Sequence, residues 1–319
     1  MLDCFPTRSD QGEAKPVEGV AWIDLIDPTE AEIELVQNST GYRVPGRDAL
    51  AEIQSSSRNF VEKDAVYLST PLIAHAFSHG GALSPVGFVL GPKVLITVRF
   101  SKFKAFDVVK REVAGFSDLT ANETFVRLLE NIVDKGADLL EHVSSELDAL
   151  SRSAFHAQVG KTGKLSTATQ RLREALRTVG RMGDRLSQIR DVLLGIARIV
   201  GYVIETRCTD MGEGRRQRLN AVRADVASLN DYEEHLANKV QFLLDATLGF
   251  ISIEQNDIVK VLTIASIAGI PPVFFAGVWG MNFKNIPELS WAYGYPFAWA
   301  VMILSAVVPL VWFKWRGWM

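Results

Sequence analysis

Apolar and polar positions along this chain change period twice, and each period predicts its own kind of element. Between residues 20 and 115, apolar runs at Val20–Ile26, Ala65–His75, Gly87–Leu90 and Val94–Arg99 are separated by turn signals such as Asp27-Pro28, Gly80-Gly81 and Gly91-Pro92, which reads as strands. Helical stretches near Glu30–Gln37 and Asp107–Val113 alternate with them. This part predicts an α/β layered domain. Beyond Asn122 the period becomes helical, with Phe125, Leu128, Leu129, Ile132, Val133, Leu139, Leu140, Val143, Leu147 and Leu150 on one face. A turn near Gly160–Gly163 leads into a second helix. From Arg215 to Gly280 the helical pattern is unbroken, which predicts one helix of 66 residues, about 100 Å long at about 1.5 Å per residue.

Towards its end that helix loses its charged face. Val261–Gly280 is twenty residues without a charge and Pro296–Phe313 another eighteen, each long enough to cross a hydrocarbon layer of roughly 30 Å. Pro271 and Pro272 fall inside the first run, where a spanning helix tolerates them if neighbouring helices satisfy the freed carbonyls. Of 34 basic and 37 acidic residues only Lys284, Glu288, Lys314 and Arg316 lie beyond Lys260, whereas six of the seven Trp do. Trp291, Tyr293 and Tyr295 before the second run, and Trp312, Trp315 and Trp318 about its end, read as interfacial belts. Lys260 before the first span and Lys314 and Arg316 after the second predict that both termini are cytoplasmic. The opening MLDCFPTRSD has no apolar stretch of signal-peptide length, in keeping with that. The expectation is a multi-pass protein of the cell (inner) membrane, with membrane lipid as a partner.

Composition then excludes several classes. A net charge of −3 gives no reason to expect nucleic acid as a partner. Cys4 and Cys208 cannot make a disulfide framework or a thiolate metal site, and no nucleophile–base grouping emerges from spacing, so an enzyme is not expected. Glu130, Asp134, Asp138 and Glu141 share a face of the first hairpin helix and Arg173, Arg177, Arg181 and Arg185 a face of the second. Matched stripes of an antiparallel hairpin explain them, with a cation-attracting or anion-binding surface as the alternative. Arg215, Arg216, Arg218 and Arg223 read as a solvated helix start. Stepping by three and four from Asn256 gives Val259, Thr263, Ser266, Ile270, Val273, Gly277 and Gly280, the seam period of associating helices. Small and hydroxyl residues there either let backbones approach or line a conduit in a ring of identical helices.

Gly280-Met281-Asn282-Phe283 follows the first span directly and Lys284-Asn285-Ile286-Pro287-Glu288-Leu289 leads to the second. At the outer end of the first of two C-terminal spans, this Gly-Met-Asn resembles the CorA family of divalent-cation channels, specifically over about Asn256 to Trp318. The resemblance implies an α+β membrane protein with a cytoplasmic α/β/α domain (1–115), a helical hairpin (116–210), and a long stalk helix with the first transmembrane helix (211–280). A loop bearing the motif (281–295) and a second transmembrane helix with a tail (296–319) complete it. It also implies a homopentameric funnel of self-partnered chains that passes Mg2+, with Co2+ or Ni2+ as further cargo and no resident cofactor. By the same resemblance Gly280, Met281 and Asn282 form the selectivity filter, with Asn282 facing the metal. Asn256 makes an inner polar ring, Val259, Leu262 and Ile270 are hydrophobic constrictions, and Thr263, Ser266, Val273 and Gly277 complete the pore lining.

The chain also departs from that pattern. Val273 stands where the family often has a hydroxyl, Lys284 stands where acidic loop residues are common, and the tail KWRGWM has few basic residues. Asp225, Asp231, Asp245 and Asp257 are available as regulatory carboxylates. The competing reading is a Zn2+ transporter of the same superfamily. Zinc prefers nitrogen and sulfur ligands, which Val261–Met319 lacks, while His75 and His79 lie in the α/β domain.

Overall fold

The computed structural model describes residues 1–5, 19–52, 58–74, 81–114, 116, 119–156, 165–207, 211–282, 287 and 291–318. His75, His79, Cys208, Lys284 and Glu288 lie outside them. Contacts divide the chain into two units, Met1–Lys161 with Ala175–Leu244, and Thr162–Glu174 with Asp245–Met319.

The first unit is built on a six-stranded sheet in the order β1-β2-β6-β5-β4-β3. Its strands are β1 (Leu2–Phe5), β2 (Trp22–Ile26), β3 (Asn59–Glu62), β4 (Ala65–Ala74), β5 (Ala82–Leu90) and β6 (Leu95–Arg99). Among the described strands only β2 and β6 run parallel. Along these two strands Ile23, Leu25, Ile96 and Val98 join Val36 of α1 (Glu30–Thr40) and Leu50 of α2 (Arg47–Ala51) in one core. Trp22 and Leu95 join Phe106 of α3 (Lys104–Val113) and Phe125 of α4 (Ala121–His156) in the other. With period-two alternation placing both sets of side chains in separate cores, both faces of the sheet are covered, as the α/β/α expectation requires.

The sequence reading missed the two edge strands. β1 and β3 have four residues each, too few for a period to emerge, and short strands suit an edge. β5 begins five residues earlier than expected because Ser84, Pro85 and Gly87 interrupt its apolar pattern. Pro85 faces Pro71 of β4. Neither site is central to the sheet, since β3 pairs with β4 only as far as Leu68 and β6 with β5 only from Val86. The prolines therefore lie in a two-stranded arm where no third strand needs their missing N–H.

Helices α4 and α5 (Leu165–Arg207) form the hairpin, and the first part of α6 (Glu213–Trp279) packs on it through Leu219, Val222, Val226, Leu236 and Leu243. On α5, a Cβ at Gly195 would lie 2.0 Å from Thr70 Oγ1, so helix and sheet approach there more closely than any other residue permits. The charged stripes do not match each other as expected. Glu130 instead takes a two-pronged contact from Arg218 of α6 at 2.6 and 2.7 Å, and Glu123 accepts from the same guanidinium at 2.8 Å. Burial alone would raise the Glu123 carboxyl, but Arg218 and Arg127 hold it below its ordinary range. Arg185 does bridge the hairpin to Glu146 at 2.8 Å, whereas Arg173, Arg177 and Arg181 are exposed. Arg218 is thus a tie between helices rather than a solvated helix start.

Candidate functional site

The second unit holds the rest of α6 and α7 (Gly294–Trp315), the two helices long and apolar enough to cross a membrane. The proline pair at 271 and 272 does not end α6, which continues to Trp279. Half-covered side chains on it fall at Ile264, Ala268, Pro271, Pro272, Phe275 and Trp279, one stripe at a helical spacing of about 100° per residue, with the small Thr263 and Ser266 half-covered away from it. On α7 they fall at Ala298, Val301, Met302, Ser305, Ala306, Pro309 and Leu310, ending at buried Phe313. Trp279 meets Phe297 edge-on, with ring centroids 6.4 Å apart, so the two stripes are the faces turned to each other.

The expected pore residues lie on the other side of α6. Counting about 100° per residue, Val259, Leu262, Ser266, Ile270, Val273 and Gly277 cluster roughly opposite the covered stripe, with Asn256 and Thr263 on one flank. Val259, Leu262, Ile270 and Val273 are 59%, 66%, 64% and 72% exposed. No heavy atom lies within 4 Å of where a Cβ on Gly277 would be. From Gln255 to Leu262 every residue is exposed. The Thr263 hydroxyl donates to the Val259 carbonyl at 2.8 Å, so that proton is already committed within the helix. A row of large apolar side chains is thereby left largely uncovered by the described residues.

Above Trp279 the helix closes on a turn in which the Gly280 N–H donates to the Ala276 carbonyl at 3.0 Å and the Met281 N–H to Val278 at 3.3 Å. A Cβ on Gly280 would sit 3.1 Å from the Ala276 oxygen, tight enough to favour glycine at this position. Met281 and Asn282 follow, both exposed. The sequence reading missed what holds this turn. Phe297 of α7 lies between Trp279 and Trp291, 5.5 Å from the latter, and Trp279 stacks on Phe275 at 5.7 Å. These aromatics tie together the two ends of the loop that carries the motif. Their clustering at both ends of the spans was the available signal, and it was read only as an interfacial belt. Among the described residues no group of three or more His, Cys, Asp or Glu is arranged to hold a metal. Of the proposed regulatory carboxylates, Asp257 is paired with Lys260 at 2.9 Å.

Residues 17–315 match the family described as CorA-like Mg2+ transporter protein. The chain is 31% identical over 316 residues to the magnesium transport protein CorA of Escherichia coli K12, covering 98% of this chain and 96% of that one. The full-length CorA magnesium transporter structure from Methanocaldococcus jannaschii superposes with a TM-score of 0.77 at 18% identity, over 97% of this chain and 94% of that one. The full-length CmaX protein superposes with a TM-score of 0.68 at 16% identity, over 98% and 92%.

Proposed function

The chain belongs to the CorA-like Mg2+ transporter family, and from that premise we propose that it is a magnesium channel, assembled as a homopentamer whose pore is the uncovered face of α6. It is a membrane transporter rather than an enzyme, and the divalent cation is its cargo. The observation that carries the proposal is the uncovered face itself. Lipid could cover Val259, Leu262, Ile270 and Val273, but Asn256, Ser266 and Gly277 on or beside the same face suit a helix-lined conduit better.

In a ring of five, the exposed Asn282 side chains crown that face. Magnesium gives up its water reluctantly, and its bound waters point their O–H groups outward. A filter for the hydrated ion therefore needs acceptors, which Asn282 Oδ1 and the backbone carbonyls about Gly280 and Met281 supply. Because the amide is neutral, the ion is not trapped as five carboxylates would trap it. Lower down, rings of Val259, Leu262 and Ile270 form constrictions that close by dewetting, and Asn256 offers a polar ring at the inner end. Lys284 and Glu288, placed by sequence alone, set the charge at the mouth. Co2+ and Ni2+ share the octahedral oxygen preference and are expected as secondary cargo. The zinc alternative finds no His or Cys in Val261–Met319.

Substitution of Asn282 tests the filter. Asn282→Ala removes five acceptors together, each worth about 0.5–1.5 kcal/mol net, and is expected to abolish selective magnesium flux into liposomes in a pentamer that still forms. Asn282→Asp should bind the ion more tightly and conduct poorly. Flux at the parental rate in Asn282→Ala would remove the filter from this loop.

A further inference from the structure

A cavity of about 460 Å3 opens in the first unit between the end of β4, the start of α3, α4 and α5. That is the size of pocket that buries a small organic ligand. Phe103, Ile132, Leu139 and Ile189 give it an apolar interior, and Lys102 and Lys104, both exposed, stand beside it. The other charges of the lining are already matched. Lys135 is held by Asp138 at 2.5 Å and His142 by Glu146 at 3.2 Å, and Asp107 sits in the first turn of α3, where it complements the helix dipole. Lys102 and Lys104 have no ion-pair or hydrogen-bond partner among the described residues.

Gly136 supplies an independent observation. It lies inside the 36-residue α4, where glycine weakens a helix relative to alanine. Close packing does not call for it, since an added Cβ would meet only Leu193 Cδ2, at an ordinary 3.7 Å. What the missing side chain leaves open is the cavity that Gly136 lines. We infer that the cavity is a binding site for a small organic anion, a carboxylate or sulfonate carried on an aromatic or short aliphatic body. The body rests on Phe103 and Leu139, and Lys102 and Lys104 take the charge.

Fluorine NMR of para-trifluoromethylbenzenesulfonate, titrated onto the full-length protein in nanodiscs with empty nanodiscs as the blank, tests this directly. Saturable binding is expected, with no binding of the matching cation, para-trifluoromethylbenzylammonium. Reversing both exposed charges (Lys102→Glu with Lys104→Glu) should weaken the sulfonate by about tenfold or more, as loss of two lysine contacts implies. Gly136→Leu, which fills the space and leaves the charges in place, should abolish binding. Equal binding of the cation, or unchanged affinity in the charge-reversed protein, would overturn the assignment, and the charge-reversed protein decides the matter even if Gly136→Leu does not fold. Ion flux is no part of the readout, so the result stands whatever becomes of the pore proposal.

Discussion

Between Glu213 and Leu244, α6 covers Leu219, Val222, Val226, Glu233, Leu236 and Leu243 to 3% exposure or less, whereas from Val259 to Val273 it leaves five large apolar side chains more than half exposed. The covered residues of the first part recur every seven positions, as in Val222, Leu229, Leu236 and Leu243. The same count carried on from Leu243 reaches Ile264 and Pro271, both on the stripe turned towards α7. Each part of the helix therefore has a partnered face of its own, although the count between them passes through exposed Asp257. What differs is the opposite face, polar in the first part and apolar in the second. A polar face is satisfied by water, while an apolar one must be covered by lipid or by copies of itself, so the second part is where the proposed pentamer has a face to bury.

The largest expected effect comes from the uncovered face. A Cβ at Gly277 would meet nothing within 4 Å among the described residues outside its own helix backbone, so a monomer is expected to accept Gly277→Leu. In a ring of closely approached helices it should prevent assembly, and native mass measured in mild detergent should fall from about five times the chain mass. A pentamer of normal yield would place Gly277 against lipid and break the comparison. Next, Leu236→Ala should lower unfolding stability by about 2–5 kcal/mol, while Leu262→Ala should change it by under about 0.5 kcal/mol yet raise ion leak, because the constriction widens. Thermal denaturation paired with liposome flux separates the two.

The smallest effect concerns Glu233, an acid on the covered face of α6. Burial raises its carboxyl above the ordinary range, Arg190 at 3.9 Å offsets this only in part, and Glu234 adds to it. A carboxyl with a raised folded pKa binds its proton more tightly in the folded protein than in the unfolded chain. Ionisation therefore costs stability as pH rises past the unfolded value of 4.5, and the cost is complete above the folded one. Glu233→Leu should remove this dependence and stabilise the neutral-pH protein by about 1 kcal/mol, read from melting temperatures across the acid range. A flat difference between parent and variant over that range would show that Glu233 is solvated.

What was legible in the sequence was local. Uncharged length and flanking Trp are contained in adjacent residues, so the spans could be read directly, whereas the candidate filter at Gly-Met-Asn came from its resemblance to the family. The start of α1 and the end of α3 followed from period for the same reason, while the other end of each lies three residues beyond the expected stretch. Partner choice was not legible. Spacing of four places Glu130 and Asp134 on one face but says nothing of which helix will meet it, and the answer was Arg218 rather than the Arg173–Arg185 stripe. Likewise the aromatic tie at Phe297 depends on how two distant turns meet.

Most hidden of all was Asp24, the charged residue within the strand WIDLI. Fully buried, it accepts from Arg99 Nη2 at 2.8 Å, Arg99 Nε at 3.1 Å, Thr97 Oγ1 at 2.7 Å and Lys110 Nζ at 2.7 Å. Burial alone would raise this carboxyl, yet Arg99 and Lys110 hold it below its usual range. Asp24 and Arg99 are 75 positions apart, on the one parallel pair of the sheet. Contacts so distant in sequence form slowly, and the apolar residues around them would tolerate a strand that slipped along its neighbour. The ion pair would not. A slip of one residue turns Asp24 towards the core of Val36 and Leu50 and away from Arg99 and Lys110. The pair thus acts as a checksum on chain assembly, rejecting misaligned sheets before the helices that depend on them can pack.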